Sequence, residues 1–239
     1  MSYAFLQHIA TTILVAGIMS FTATNKRAAG QTACPPIDTT AAWARVNRAW
    51  QNENGLRWSN DSLRQVLLDL RDRDQADRAN FGARVGDTLY VRKLIALDST
   101  LSAEMKVILD RYGLPTRDLV GAQGADAAML VVQHSPTLQE RVLAMAKALP
   151  PGQLSPEKLG MLEDRVLHHQ GLPQRFGTQF GLRQDGQFIF APAADTTRLD
   201  QLREHAGMMP LLQYVCLLES TGARVDRSSL PPRYRNQMQ

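Results

Sequence analysis

The sequence predicts a mainly α-helical single domain of several helices with one small β-hairpin near residues 179–190. Three observations carry this. Apolar residues recur at three- and four-residue spacing through most of the chain, Gly and Pro punctuate those runs, and one Asp185-Gly186 dipeptide separates two short extended segments. At 239 residues the chain has room for one domain with a sizeable core and little room for two.

The first element is an address. Residues 9–21 are almost uninterrupted apolar sequence, shorter than the roughly 18 residues a spanning helix needs, so residues 1–30 read as a signal peptide with cleavage before Gln31. The expected location is therefore exported, periplasmic or secreted, without membrane insertion after cleavage. Loss of Lys26 and Arg27 would leave 25 basic against 23 acidic side chains. Such a balance, with acids and bases interleaved, excludes a nucleic-acid partner.

Residues 31–59 read as a leader with a first short helix, and Asn60 is placed to cap the next one. Leu63, Val66, Leu67 and Leu70 form its apolar stripe, while Asp and Arg alternate over residues 71–78 in the manner of a solvated, ion-paired surface. Two further helical patterns cover residues 89–97 and 101–112, the latter stopping at Gly113 and Pro115. Gly121 and Gly124 then break the chain before a short apolar helix over residues 125–133, which ends at His134. Ser135-Pro136 and Ser155-Pro156 each put a capping hydroxyl before a proline suited to the first turn, predicting two antiparallel helices that end near Pro150 and Gly171. Residues 179–182 and 187–190 flank the Asp-Gly turn as hairpin strands. A polar helix starting at Asp195 or Thr196 and an apolar one opened by Pro210 close a domain over residues 60–222, leaving 223–239 as a disordered tail.

Two cysteines, Cys34 and Cys216, would be free to pair in an oxidising compartment. Cys216 lies in an apolar run and is more simply a buried small hydrophobe, with Cys34 a free thiol on the leader.

Function is expected at residues 164–180, where a helix stops on Gly171 and Pro173 and the polar side chains of Gln174, Arg175, Thr178 and Gln179 follow. His134 closes an apolar helix and is the best general-base candidate. Asp164 and Arg165, at mid-helix, read as the floor of this segment, with Arg165 donating to its carbonyls. Gln133, His134, Asp164, Arg165, Gln174, Thr178 and Gln179 form the candidate ligand set, for a small polar ligand or an envelope protein. An alternative is a hydrolase using His134 as base and Asp164 as orienting acid. Asp164 and His168 are four apart on one helix, but no spacing selects further ligands among His134, His169 and His205, so neither metal nor cofactor is expected.

Five motifs follow one another over residues 113–211: Gly113-Leu114-Pro115-Thr116, Ala125-Asp126-Ala127-Ala128-Met129 running into Val132-Gln133-His134, Asp164-Arg165-Val166-Leu167, residues 171–179, and Gly207-Met208-Met209-Pro210-Leu211. Together and in this order they resemble the bacterial domain of unknown function 6624. Leu114 and Met129 stand where that pattern has tryptophan, and Phe176 where it has tyrosine. The resemblance implies a family and no activity.

Overall fold

The computed structural model describes Cys34, residues 37–76, Arg78, Arg84 and residues 86–235. Residues 1–30, expected to be a signal peptide, lie outside them. Nine helices and a small three-stranded sheet form the described chain. Their order is α1 (Ala42–Gln51), α2 (Asp61–Gln75), α3 (Thr88–Tyr112), α4 (Arg117–Gln133), α5 (Pro136–Lys147), α6 (Pro156–His169), β1 (Phe180–Leu182), β2 (Gln187–Phe190), α7 (Leu199–His205), α8 (Leu211–Ser220), β3 (Arg224–Asp226), a 3-10 turn (Arg227–Ser229) and α9 (Pro232–Arg235).

Helix starts follow the local chemistry. Asn60 accepts from the Leu63 amide, Asp87 from those of Leu89 and Tyr90, and Ser155 from that of Lys158. Ser135 departs from this: its hydroxyl donates back to the Val131 carbonyl and accepts from Ser102, so its helix begins on Pro136 without a side-chain cap. The two patterns at 89–97 and 101–112 are one continuous helix, since the polar stretch at Asp98-Ser99-Thr100 does not end it: Ser99 and Thr100 face outward and bond the Ile95 and Ala96 carbonyls, while Asp98 faces inward to Arg78. α4 likewise starts eight residues earlier than the apolar run suggests, with its kink at Gly121. There φ is 72°, and an added Cβ would lie 2.2 Å from an Arg64 guanidinium nitrogen.

The hairpin pairs β1 and β2 antiparallel in the register Phe180 to Phe190. β3 adds to β2 in parallel. Residues 224–235 are thus not the disordered tail their composition suggests: Leu230 and Tyr234 are fully buried, and the Ser229 hydroxyl accepts from the Phe190 amide. Cys34 and Cys216 form a disulfide, so Cys216 is no free hydrophobe and the leader is strapped to α8.

Two large apolar cores result, with a small third cluster of Met161, Phe176, Ala206 and Met208. One gathers α2, α4, α5, α6 and the C-terminal half of α3; the other gathers α1, the sheet, α7, α8 and the N-terminal half of α3. At 25 residues α3 is about 38 Å long and spans both. Asp98 lies at its middle, where the cores meet.

Candidate functional site

Asp74, near the C-terminal end of α2, is completely buried, and Oδ1 is 2.7 Å from His134 Nδ1. Arg78, just beyond α2, folds back so that Nε donates to the Asp74 carbonyl and Nη2 to Asp74 Oδ1, each at 3.0 Å, while the same Nη2 also pairs with Asp98. α2, α3 and the end of α4 thereby deliver Asp74, Arg78, Asp98 and His134 to one point. Asp74 and Arg78, expected on a solvated face, are instead 0% and 6% exposed. The alternating charges belong to a helix whose end turns inward.

From α6, Arg165 approaches the same point at 2% exposure, close enough to influence the titration of both Asp98 and His134. Its Nε and Nη1 have no hydrogen-bond partner, and neither has Arg78 Nη1 or Gln133 Nε2. The loop-binding role expected of Arg165 is taken by Arg203 on α7, which donates to the Phe176 and Met209 carbonyls at 2.7 Å and, at 3.3 Å, to that of Gly177.

Protonation follows from the surroundings. Burial pushes His134 down to about 4, Arg78 adds to this, and the opposing pull of Asp74 is smaller. At neutral pH the imidazole is therefore uncharged, with its Nδ1 proton directed to Asp74 and Nε2 left as the basic nitrogen. For Asp74, burial alone would raise the pKa, but His134 and Arg78 hold it below the usual carboxylate value. Asp98 is pushed up to about 6 by burial against the attraction of Arg78, with repulsion from Asp74 contributing. Burial lowers Arg165 to about 10, leaving it cationic at pH 7. Neighbouring groups whose pKa values are driven apart are a signature of sites that handle protons or charged ligands.

Asp164 is placed differently. Its two oxygens accept from the amides of Arg175, Phe176 and Thr178 and from the Thr178 hydroxyl at 2.6–3.1 Å. Burial raises its pKa, and these four donors oppose the rise by favouring the carboxylate form. Asp164 is thus the clamp that shapes the loop. His134 bonds Asp74 and not Asp164, so the expected acid–base pair has a different acid. Gln174 is a clamp as well: Nε2 donates to the Gln179 and Ala191 carbonyls, and Oε1 accepts from the Gln179 amide. Gln179 Nε2 donates to Thr178 Oγ1. Gly177, at φ 68°, lets the loop pass against Phe190 and Leu199. A cavity of about 10 Å³, near the size of one water, lies between Thr178, Met161, Arg203 and Tyr214.

All seven candidate ligand residues are buried. They divide into a clamp group (Asp164, Gln174, Thr178, Gln179) and a group at or beside the ionic centre (Gln133, His134, Arg165). The sequence reading missed Asp74, Arg78 and Asp98, whose available signal was the Asp74–Arg78 spacing of four. Asp74, Asp98 and His134 offer ligand atoms within 4.8 Å of one another, a set that could hold a cation. Arg78 already supplies positive charge between the two carboxylates.

Fold and site together define a helical domain built around a buried ionic centre and a clamped polar loop. The chain belongs to a family of unknown function (DUF6624), whose model matches residues 61–226. Comparison with curated proteins and with solved structures found no match.

Proposed function

We propose that this chain is exported and binds a small polar ligand at the ionic centre formed by His134, Asp74, Arg78, Asp98 and Arg165. The observation that carries the reading is the Arg165 guanidinium, 2% exposed with two nitrogens lacking acceptors. A buried unpaired cation costs several kcal/mol, and a ligand bearing acceptors relieves that cost. Asp98, whose side chain keeps 14% exposure, marks the approach from solvent. Export is supported by the apolar run at residues 9–21 and by the Cys34–Cys216 bond, which suits an oxidising compartment.

The test is a thermal-shift screen of small polar compounds on the purified chain and on Arg165→Gln. Compounds that raise the melting temperature of the wild type, and not of an Arg165→Gln protein with unchanged circular dichroism, support the reading. Equal stabilisation of both proteins moves the site elsewhere, and no stabilising compound overturns ligand binding.

His134 favours a second reading, acid–base hydrolysis. Asp74 at 2.7 Å orients the imidazole as Asp164 was expected to, leaving Nε2 to take a proton from an attacking water.

A further inference from the structure

Taking that binding reading as its basis, we propose that the ligand carries a carboxylate or phosphate group, that Arg165 and Arg78 hold this oxyanion, and that one proton enters with it and settles on Asp98.

Most of the acceptors around the centre are already committed. Asp74 serves His134, Arg78 and Gln75, and Asp98 serves Arg78. Arg165 receives none of them at Nε or Nη1, and Arg78 keeps Nη1 unpaired. A guanidinium offers oxyanions two forks, Nε with Nη2 and Nη1 with Nη2, and each fork of Arg165 has at least one donor without an acceptor. Unmet demand at this point is therefore for hydrogen-bond acceptors with negative charge.

The charge count brings in the proton. Two guanidinium groups, two carboxylates and a neutral imidazole balance to zero, so an incoming monoanion leaves the centre one negative charge in excess. Several groups could respond. Asp74 is held ionised by His134 and Arg78, and Tyr214 beside Arg165 is pushed up to about 12 by burial, so it is already protonated. His134 lies too far down, at about 4, for uptake near neutral pH. Asp98 lies beside Asp74, Arg78, His134 and Arg165 and its pKa is pushed up to about 6, so it takes the proton and can then donate its O–H to the ligand. By linkage the oxyanion binds more tightly as pH falls. Each unit by which occupancy raises the Asp98 pKa makes about a tenfold difference between acidic and alkaline limits.

Sodium acetate and inorganic phosphate serve as probes, titrated against chloride at matched ionic strength, with affinity read from thermal stabilisation at pH 5.5 and 7.5 and proton uptake from calorimetry in two buffers of different ionisation enthalpy. Expected are saturable binding of one or both probes, several-fold tighter at pH 5.5, with proton uptake at pH 6.5. Asp98→Asn should bind with little pH dependence and no uptake, and Arg165→Gln should not bind. Tighter binding of phosphate than acetate marks a phosphate ligand, and the reverse a carboxylate; both support the class. Equal probe binding by wild type and Arg165→Gln overturns the assignment, and so does binding without proton uptake by the wild type, a measurement that needs no variant. If neutral compounds in the screen above require Arg165 while neither probe binds, the site stands and the oxyanion falls.

Discussion

Asp98 and His134 titrate in opposite senses, and that gives the ionic centre a measurable mark. Asp98 keeps its proton up to about 6 in the fold, against 3.8 for the ordinary group, so the native state binds more protons between these values and this contribution to stability declines as pH rises from 4 to 6. His134 is depressed from 6.5 to about 4, so the unfolded state binds more protons there, and its contribution rises with pH over the same window. The two oppose each other in the wild type. Relative to wild type, Asp98→Asn should gain stability between pH 4 and 6, with a slope of up to about 1.4 kcal/mol per pH unit. His134→Gln should lose it, an effect enlarged when Asp74 is deprived of its partner. Urea melts at four pH values measure both slopes, and equal signs would remove His134 and Asp98 from a shared centre. Of these residues the sequence disclosed only His134, because the end of an apolar run is visible in one dimension. Asp74 and Arg78 were hidden, because alternating charges look the same whether a helix end faces water or folds inward. Arg165 was legible as a buried group, but its loop contacts belong to Arg203, which lies in a seven-residue helix whose polar residues look solvated in the sequence.

Most helix starts and the hairpin turn carry local signals and were legible, though Ser135 does not cap its helix, and elements held by distant contacts were not legible. Asn60 and Ser155 cap their helices as their spacing predicts, and Asp185-Gly186 turns the hairpin. β3 has no such signal, since Arg224-Val225-Asp226 becomes a strand only by pairing with β2. Leu230 and Tyr234 are similarly isolated among Ser, Pro and Arg. Yet both are fully buried in the second core, and losing buried side chains of this size costs about 2–5 kcal/mol each. A chain ending at Asp226 should therefore lose at least about 4 kcal/mol, read from the urea midpoint, with Tyr234→Ala alone losing a large part of it. A truncated protein as stable as the full chain would return residues 227–235 to the status of a tail.

At the scale of the molecule, two apolar cores share one long helix, and the ionic centre occupies their seam, so anything that holds the cores together also holds the centre. The Cys34–Cys216 bond contributes to this from outside. It joins positions 182 residues apart in sequence, and Cys34 is exposed while Cys216 is half-buried, so breaking it leaves no cavity in either core. Its effect lies instead in the unfolded chain, where closing so long a loop removes entropy that in the loop-closure model is worth about 5 kcal/mol, the upper end of measured disulfide contributions. The Cys34→Ser/Cys216→Ser double variant should accordingly retain the circular dichroism of the native fold while its urea midpoint falls by the equivalent of about 3–5 kcal/mol. Dithiothreitol should lower the wild type to the same midpoint and leave the double variant unchanged. A fold indifferent to both treatments would mean that the strap contributes nothing to holding the cores together.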